Sequence, residues 1–201
     1  MHDLGPDPES AAQLIRRFWD STAPVIRESG GQVYAWRGDG LLVAYRGERR
    51  MERALDATES VLAVVRDELA PQARAELRTA SARTAKFAVA AAITDGRAVP
   101  VPVSFGQQYS EELTGDWVNV AFDLVKWADA GTVGISWEIS RWLTENNASS
   151  LQGFSWHDPE EIPLAGASRR ILQGTPITPQ HTPRTTATAG TPCQKTLPAS
   201  T

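Results

Sequence analysis

A carboxylate fixed at the tip of a tight hairpin and facing solvent can serve as a ligand for a hard cation. The run Gly38-Asp39-Gly40 has that form. Strand-type residues lead up to Arg37, Asp39 occupies the turn, and Leu41 to Tyr45 runs back. Asp-Gly is also favoured in hairpins whatever their function, so the turn by itself fits a structural role equally. Asn119 stands near the start of a predicted helix, where an amide side chain caps the helix or bonds a neighbouring loop. Asp123 lies four residues further on and therefore on the same helix face. Glu112 adjoins Glu111, and such a pair is ordinarily solvated.

Other chemistries have little to build on. Cys193 is the only cysteine, so neither a disulfide frame nor a cysteine zinc site forms within the chain. His2, His157 and His181 are far apart and have no ligand spacing. The net charge is −4 with no basic stripe, which argues against nucleic acid as a partner. No apolar run approaches about 18 residues, so no membrane span is expected. The polar start, with Pro6 and Pro8, is unlike a secretory signal, and a cytoplasmic location is expected.

The elements that must position these residues can be read from pattern. Asp7-Pro8-Glu9 is a helix start, and Leu14, Ile15, Phe18, Thr22, Val25 and Ile26 come after it at helical spacing. Pro24 falls inside that pattern, and Gly30-Gly31 ends it. A second amphipathic helix is predicted from Glu48 to Leu69, stopped by Pro71. Residues 72–84 read as a loop or a short polar helix. Lys86 to Thr94 reads as a strand, Asp95-Gly96 as a hairpin turn, and Arg97 to Phe105 as the returning strand. Pro100 and Pro102 place that strand at an edge. A helix over Trp117 to Ala128, a buried strand over 131–136, a short helix over Glu138 to Leu143 and a final hairpin (154–157 with 169–172) complete the domain. Of the seven tryptophans, Trp19, Trp117, Trp127, Trp137, Trp142 and Trp156 are expected mostly in the core. From Thr175 the sequence is Thr- and Pro-rich and nearly uncharged, too poor in apolar surface to offset chain entropy, so a disordered tail is expected. The boundaries are thus residues 1–173 for one α/β domain and 174–201 for the tail.

Two local sequences, read together, resemble the catalytic domain of class III nucleotidyl (adenylate/guanylate) cyclases. The first is Gly30-Gly31 followed by Gly38-Asp39-Gly40-Leu41-Leu42-Val43-Ala44-Tyr45. The second is Thr114-Gly115-Asp116-Trp117-Val118-Asn119-Val120-Ala121, followed by Gly131 to Ser136. Ala90 to Val99 looks like a degraded form of the family's Gly-Ile-His-x-Gly hairpin. The resemblance implies a ferredoxin-like α/β sandwich (α+β), its sheet mostly antiparallel with helices on one face. It also implies head-to-tail dimers, as a homodimer or with another cyclase-like chain, with a nucleoside triphosphate bound at the interface. Two aspartates would hold Mg2+ or Mn2+ ions that polarise the ribose hydroxyl and neutralise the leaving pyrophosphate.

Carried over by position, the resemblance makes Asp39 a metal ligand, Asn119 the catalytic, ribose-orienting asparagine, and Glu112 the acidic base-selecting group. Ala35 stands where the base-selecting lysine belongs, and Arg37 lies on the same strand face. Asp123 stands where a transition-state arginine belongs, a reversal of charge. The first metal aspartate belongs on a strand before the first helix, a strand expected to be missing here; Asp3 and Asp7 lie too near that helix. The expectation is a cyclase-like domain in intracellular cyclic-nucleotide signalling, catalytically impaired and acting as a regulatory or nucleotide-binding module. The alternatives are an active cyclase with a longer N-terminus or a complementing partner, and an interaction module that binds no nucleotide.

Overall fold

The computed structural model describes residues 8–37, 40–77, 87–105 and 108–178. Helix α1 (Pro8–Glu28) begins at Pro8, a first-turn position where a missing N–H costs nothing. It ends where Gly30, at φ 80°, reverses the chain. The Gly30 N–H bonds the Arg27 carbonyl and the Gly31 N–H bonds the Ile26 carbonyl, which satisfies the helix's last acceptors. Strands β1 (Gln32–Arg37) and β2 (Gly40–Ala44) then pair antiparallel, with Arg37 opposite Gly40 and a bulge between Val33 and Ala35. The predicted Gly-Asp-Gly hairpin is therefore present. Its tip, including Asp39, lies outside the described residues.

Helix α2 (Arg50–Val64) does not stop at Pro71. It passes through a π turn, Val65–Leu69, into α3 (Ala70–Leu77). The Ala70 N–H reaches back to the Val65 carbonyl, one residue further than in an α-helix. That register change places Pro71 in the first turn of a new helical segment, where its ring is tolerated.

The second half departs from the expected hairpin. Strand β3 (Ala91–Ile93) is short and pairs parallel with β6 (Val133–Ser136). Strand β4 (Val99–Phe105) pairs instead with β5 (Gln108–Thr114), a segment for which the sequence pattern predicts no element. Asp95-Gly96 is thus a turn between sheets. Pro100 and Pro102 sit in a two-stranded ribbon, in which both strands are edges, as their missing donors require.

After β5 come α4 (Asp116–Trp127), then β6, α5 (Trp137–Glu145), a 3-10 turn (Ser149–Gly153), β7 (Phe154–Trp156), β8 (Glu160–Leu164) and β9 (Ala167–Pro176). The final tight hairpin joins β8 to β9, and β9 continues past the composition change at Thr175. The main sheet runs β3-β6-β9-β7. Strand β8 lies along the same edge of β9 as β7. All pairings but β3–β6 are antiparallel, which agrees with the mixed α/β class and mostly antiparallel sheet read from sequence.

Alternation along the strands divides the core. Val133, Ile135 and Leu172 pack with Leu55 and Leu62 of α2 and Ile139 and Leu143 of α5. Ile171 points the other way, to Val120 and Leu124 of α4 and to Ile162 and Leu164 of β8. So α2 and α5 share one face as expected, while α4 covers the opposite face. There Gly134 makes room for it: a Cβ would lie 3.0 Å from a Leu124 methyl. The buried residues of α4 are Val120 and Leu124, while Val118 and Ala121 are half-buried. Trp19, Trp117, Trp127, Trp137, Trp142 and Trp156, expected mostly in the core, are all half-buried.

Candidate functional site

Asn119 sits in the first turn of α4, exposed, with its backbone N–H 3.4 Å from the Gly115 carbonyl. Several contacts fix that turn. Gly115 precedes it at φ 151°, and a Cβ there would meet the Arg97 carbonyl at 2.7 Å, so only glycine fits. The Thr94 hydroxyl donates to the Trp117 carbonyl at 3.0 Å. The Trp117 indole fills the space a Gly96 side chain would take, and the Arg169 guanidinium stacks over it at 4.7 Å. The Asp95-Gly96 turn is therefore the seat of α4. This support was missed in the sequence because Trp117 reads as an ordinary apolar residue, and Arg169 is brought to it only by β9.

Asp123 has a clear structural employment. One carboxylate oxygen accepts from Lys126 Nζ at 3.1 Å, and the other accepts from the Ala165 N–H at 3.3 Å. Ala165 is in the β8–β9 turn at φ 48°, a conformation costly for a residue with a Cβ. The negative charge thus secures that turn, and neither bond involves Asn119.

Glu112 lies on β5, opposite Val101 and half-buried. Ala35 lies on β1, opposite Leu42 and half-buried. Strand β1 packs beside β5, so the fold brings together the two strands that bear Ala35 and Glu112. It does not bring Asn119 to them: α4 packs on β3, β6 and β8, whereas the hairpin packs on α1 and β5. Arg169 and Arg170 do not form a paired clamp. Arg169 stacks on Trp117 and Arg170 on Trp137 at 4.2 Å. Among the described residues no group of three or more His, Cys, Asp or Glu is placed to hold a metal ion.

No protein-family model and no curated protein matches the sequence. Solved structures do match the fold. The guanylyl cyclase Cya2 aligns over 88% of this chain and 86% of its own, with a TM-score of 0.66 and 16% identity. The adenylyl cyclase CyaB from P. aeruginosa aligns over 86% of each chain, at TM-score 0.63 and 15% identity. The fold is that of a nucleotidyl cyclase domain. The guanylate cyclase domain of RhGC from Catenaria anguillulae, solved in complex with GTP, gives TM-score 0.62 at 12% identity over 88% of this chain and 89% of that one. At such identities the likeness is one of fold alone. What this cyclase fold can do therefore rests on its own residues. No described helix is long and apolar enough to cross a membrane.

Proposed function

We propose that this chain is a cyclase-fold nucleotide-binding module with impaired turnover, serving cyclic-nucleotide signalling as a regulatory or weak half of a dimer. Asp123 carries this reading. At the position where the resemblance calls for a transition-state cation stands a carboxylate tied to Lys126 and to the Ala165 N–H. An anion there opposes the charge that develops on a polyphosphate, and losing such a cation typically costs about 10²–10³ in rate. Ala35 removes a second cation.

Asn119 is exposed and so free to meet a ribose. Asp39, in the two-residue connection between Arg37 and Gly40, is an oxygen donor of the kind Mg2+ or Mn2+ takes. One carboxylate does not make a two-metal centre, so no two-metal step is assigned to this chain alone. A single ion would be completed by the phosphates of a nucleoside triphosphate. Asn119 and the hairpin tip rest on different elements, which favours a site shared between two chains, with Glu112 facing the base.

The experiment is an assay for cyclic nucleotide from ATP, GTP, CTP and UTP with manganese, beside direct titration of each triphosphate. Binding without appreciable turnover is expected. Turnover by the isolated chain that Asp39→Ala abolishes would overturn the impaired reading, and absence of any binding would leave an interaction module.

One observation favours a second reading. Strands β1 and β2 form a sheet of their own, and β3 pairs only with β6, so both pieces keep an unpaired edge among the described strands. A further strand from a longer N-terminus, or from a complementing chain, would join them and supply a second carboxylate. Turnover that appears only with such an extended or paired chain supports it.

A further inference from the structure

A groove of about 590 Å3 lies between the α2–α3 helix and the end of β9. Its floor is apolar: Leu62, Val65 and Ala70 from the helix, Phe87 and Val89 from the segment before β3. The π turn supplies Val65, so the irregular stretch of the helix is part of the wall. The volume is in the range of about 300–1,000 Å3 that accommodates small organic ligands. Two guanidinium groups stand at the rim. Arg66 is neutralised by Asp67 through two hydrogen bonds of 2.7 Å. Arg74 is exposed and has neither ion pair nor side-chain hydrogen bond among the described residues.

We propose that this groove binds a small amphiphile with an aliphatic body and one anionic head, of the medium-chain carboxylate class, the head lying against Arg74. The chain's own segment 179–201, which departs beside Thr178 at the rim, is a poor occupant. Leu197 is its only large aliphatic residue and it contains no Asp or Glu, so it matches neither the floor nor the cation. The proposal is independent of nucleotide binding.

The test is calorimetric titration of the full chain with decanoate, decanol and decyltrimethylammonium, each below its micelle concentration. Decanoate should bind tightest, by about two- to fivefold over decanol, as suits an ion pair at an exposed rim. Arg74→Gln should bring decanoate down to the decanol affinity, and Ala70→Leu should weaken all three by filling the floor. Arg74 is exposed, so its variant keeps the test decisive even where the Ala70 variant folds poorly. Absent decanoate binding, equal affinity for the three probes, an unchanged preference in Arg74→Gln, or a folded Ala70→Leu variant with undiminished affinity would each overturn the proposal.

Discussion

Asp123 is committed to architecture, with one carboxylate oxygen on Lys126 and the other on the Ala165 N–H. Asp123→Ala removes the acceptor for the Ala165 N–H and frees a left-handed residue in the β8–β9 turn. A loss of about 1 kcal/mol in urea unfolding is expected, most of it from the backbone bond because the exposed Lys126 pair contributes little. The same variant should not raise cyclase turnover, because removing an anion does not supply a cation. Glu59 gives a pH prediction. Burial pushes its carboxyl up from the ordinary 4.5, neighbouring Asp56 adds to the rise, and Arg66 opposes it. The folded chain then holds this proton more tightly than the unfolded one. Its stabilising contribution is present below the unfolded value and is lost as pH rises through the folded value. Glu59→Gln should therefore be more stable than the parent near pH 7, with the difference closing toward about pH 4. Paired denaturation curves at the two pH values check the sign.

Elements set where the residues can act, and here the pattern was informative only locally. Helix starts, glycine stops and the Gly-Asp-Gly turn depend on neighbours a few residues away, and these were legible. The partner of β4 was not, because Asp95-Gly96 has the composition of a hairpin turn, whereas the reversal lies between Phe105 and Gln108 and β3 is drawn away to β6 at long range. The π turn was equally hidden: Pro71 reads as a stop unless the helix inserts a residue ahead of it. Pro24 tests the same physics without that relief. It lies inside α1, where it lacks the N–H for the Asp20 carbonyl. Pro24→Ala should stabilise the protein by about 2 kcal/mol, the gain in helix propensity less the added freedom of the unfolded chain. Thermal unfolding at matched pH provides the measurement, and a lower midpoint would mean that the half-buried ring packs better than the restored bond.

At the scale of the molecule, the candidate residues could be named by type, but their arrangement could not. Asp39, Glu112 and Asn119 could be named from sequence. That β1 neighbours β5, or that Trp117 rests on Gly96 beneath Arg169, depends on contacts no local pattern encodes. The separate supports of Asp39 and Asn119 predict that triphosphate affinity rises with self-association. Titrations with manganese at two protein concentrations spanning the dimer transition, set by sedimentation, should give tighter binding at the higher one. Equal affinity by a protein that sediments as a monomer would remove the shared site. Strand β9 has a further consequence. It pairs with β6, β7 and β8, and it is the last of the described strands in chain order. During synthesis the ribosome releases all its partners first, and none of them can close the main sheet alone. The nascent chain must wait, with the apolar faces of α2, α4 and β6 incompletely covered, until Ile171 and Leu172 emerge. Exposure to chaperones and proteases should therefore be concentrated in that interval, and ribosome-bound chains ending before Ala167 should remain protease-sensitive.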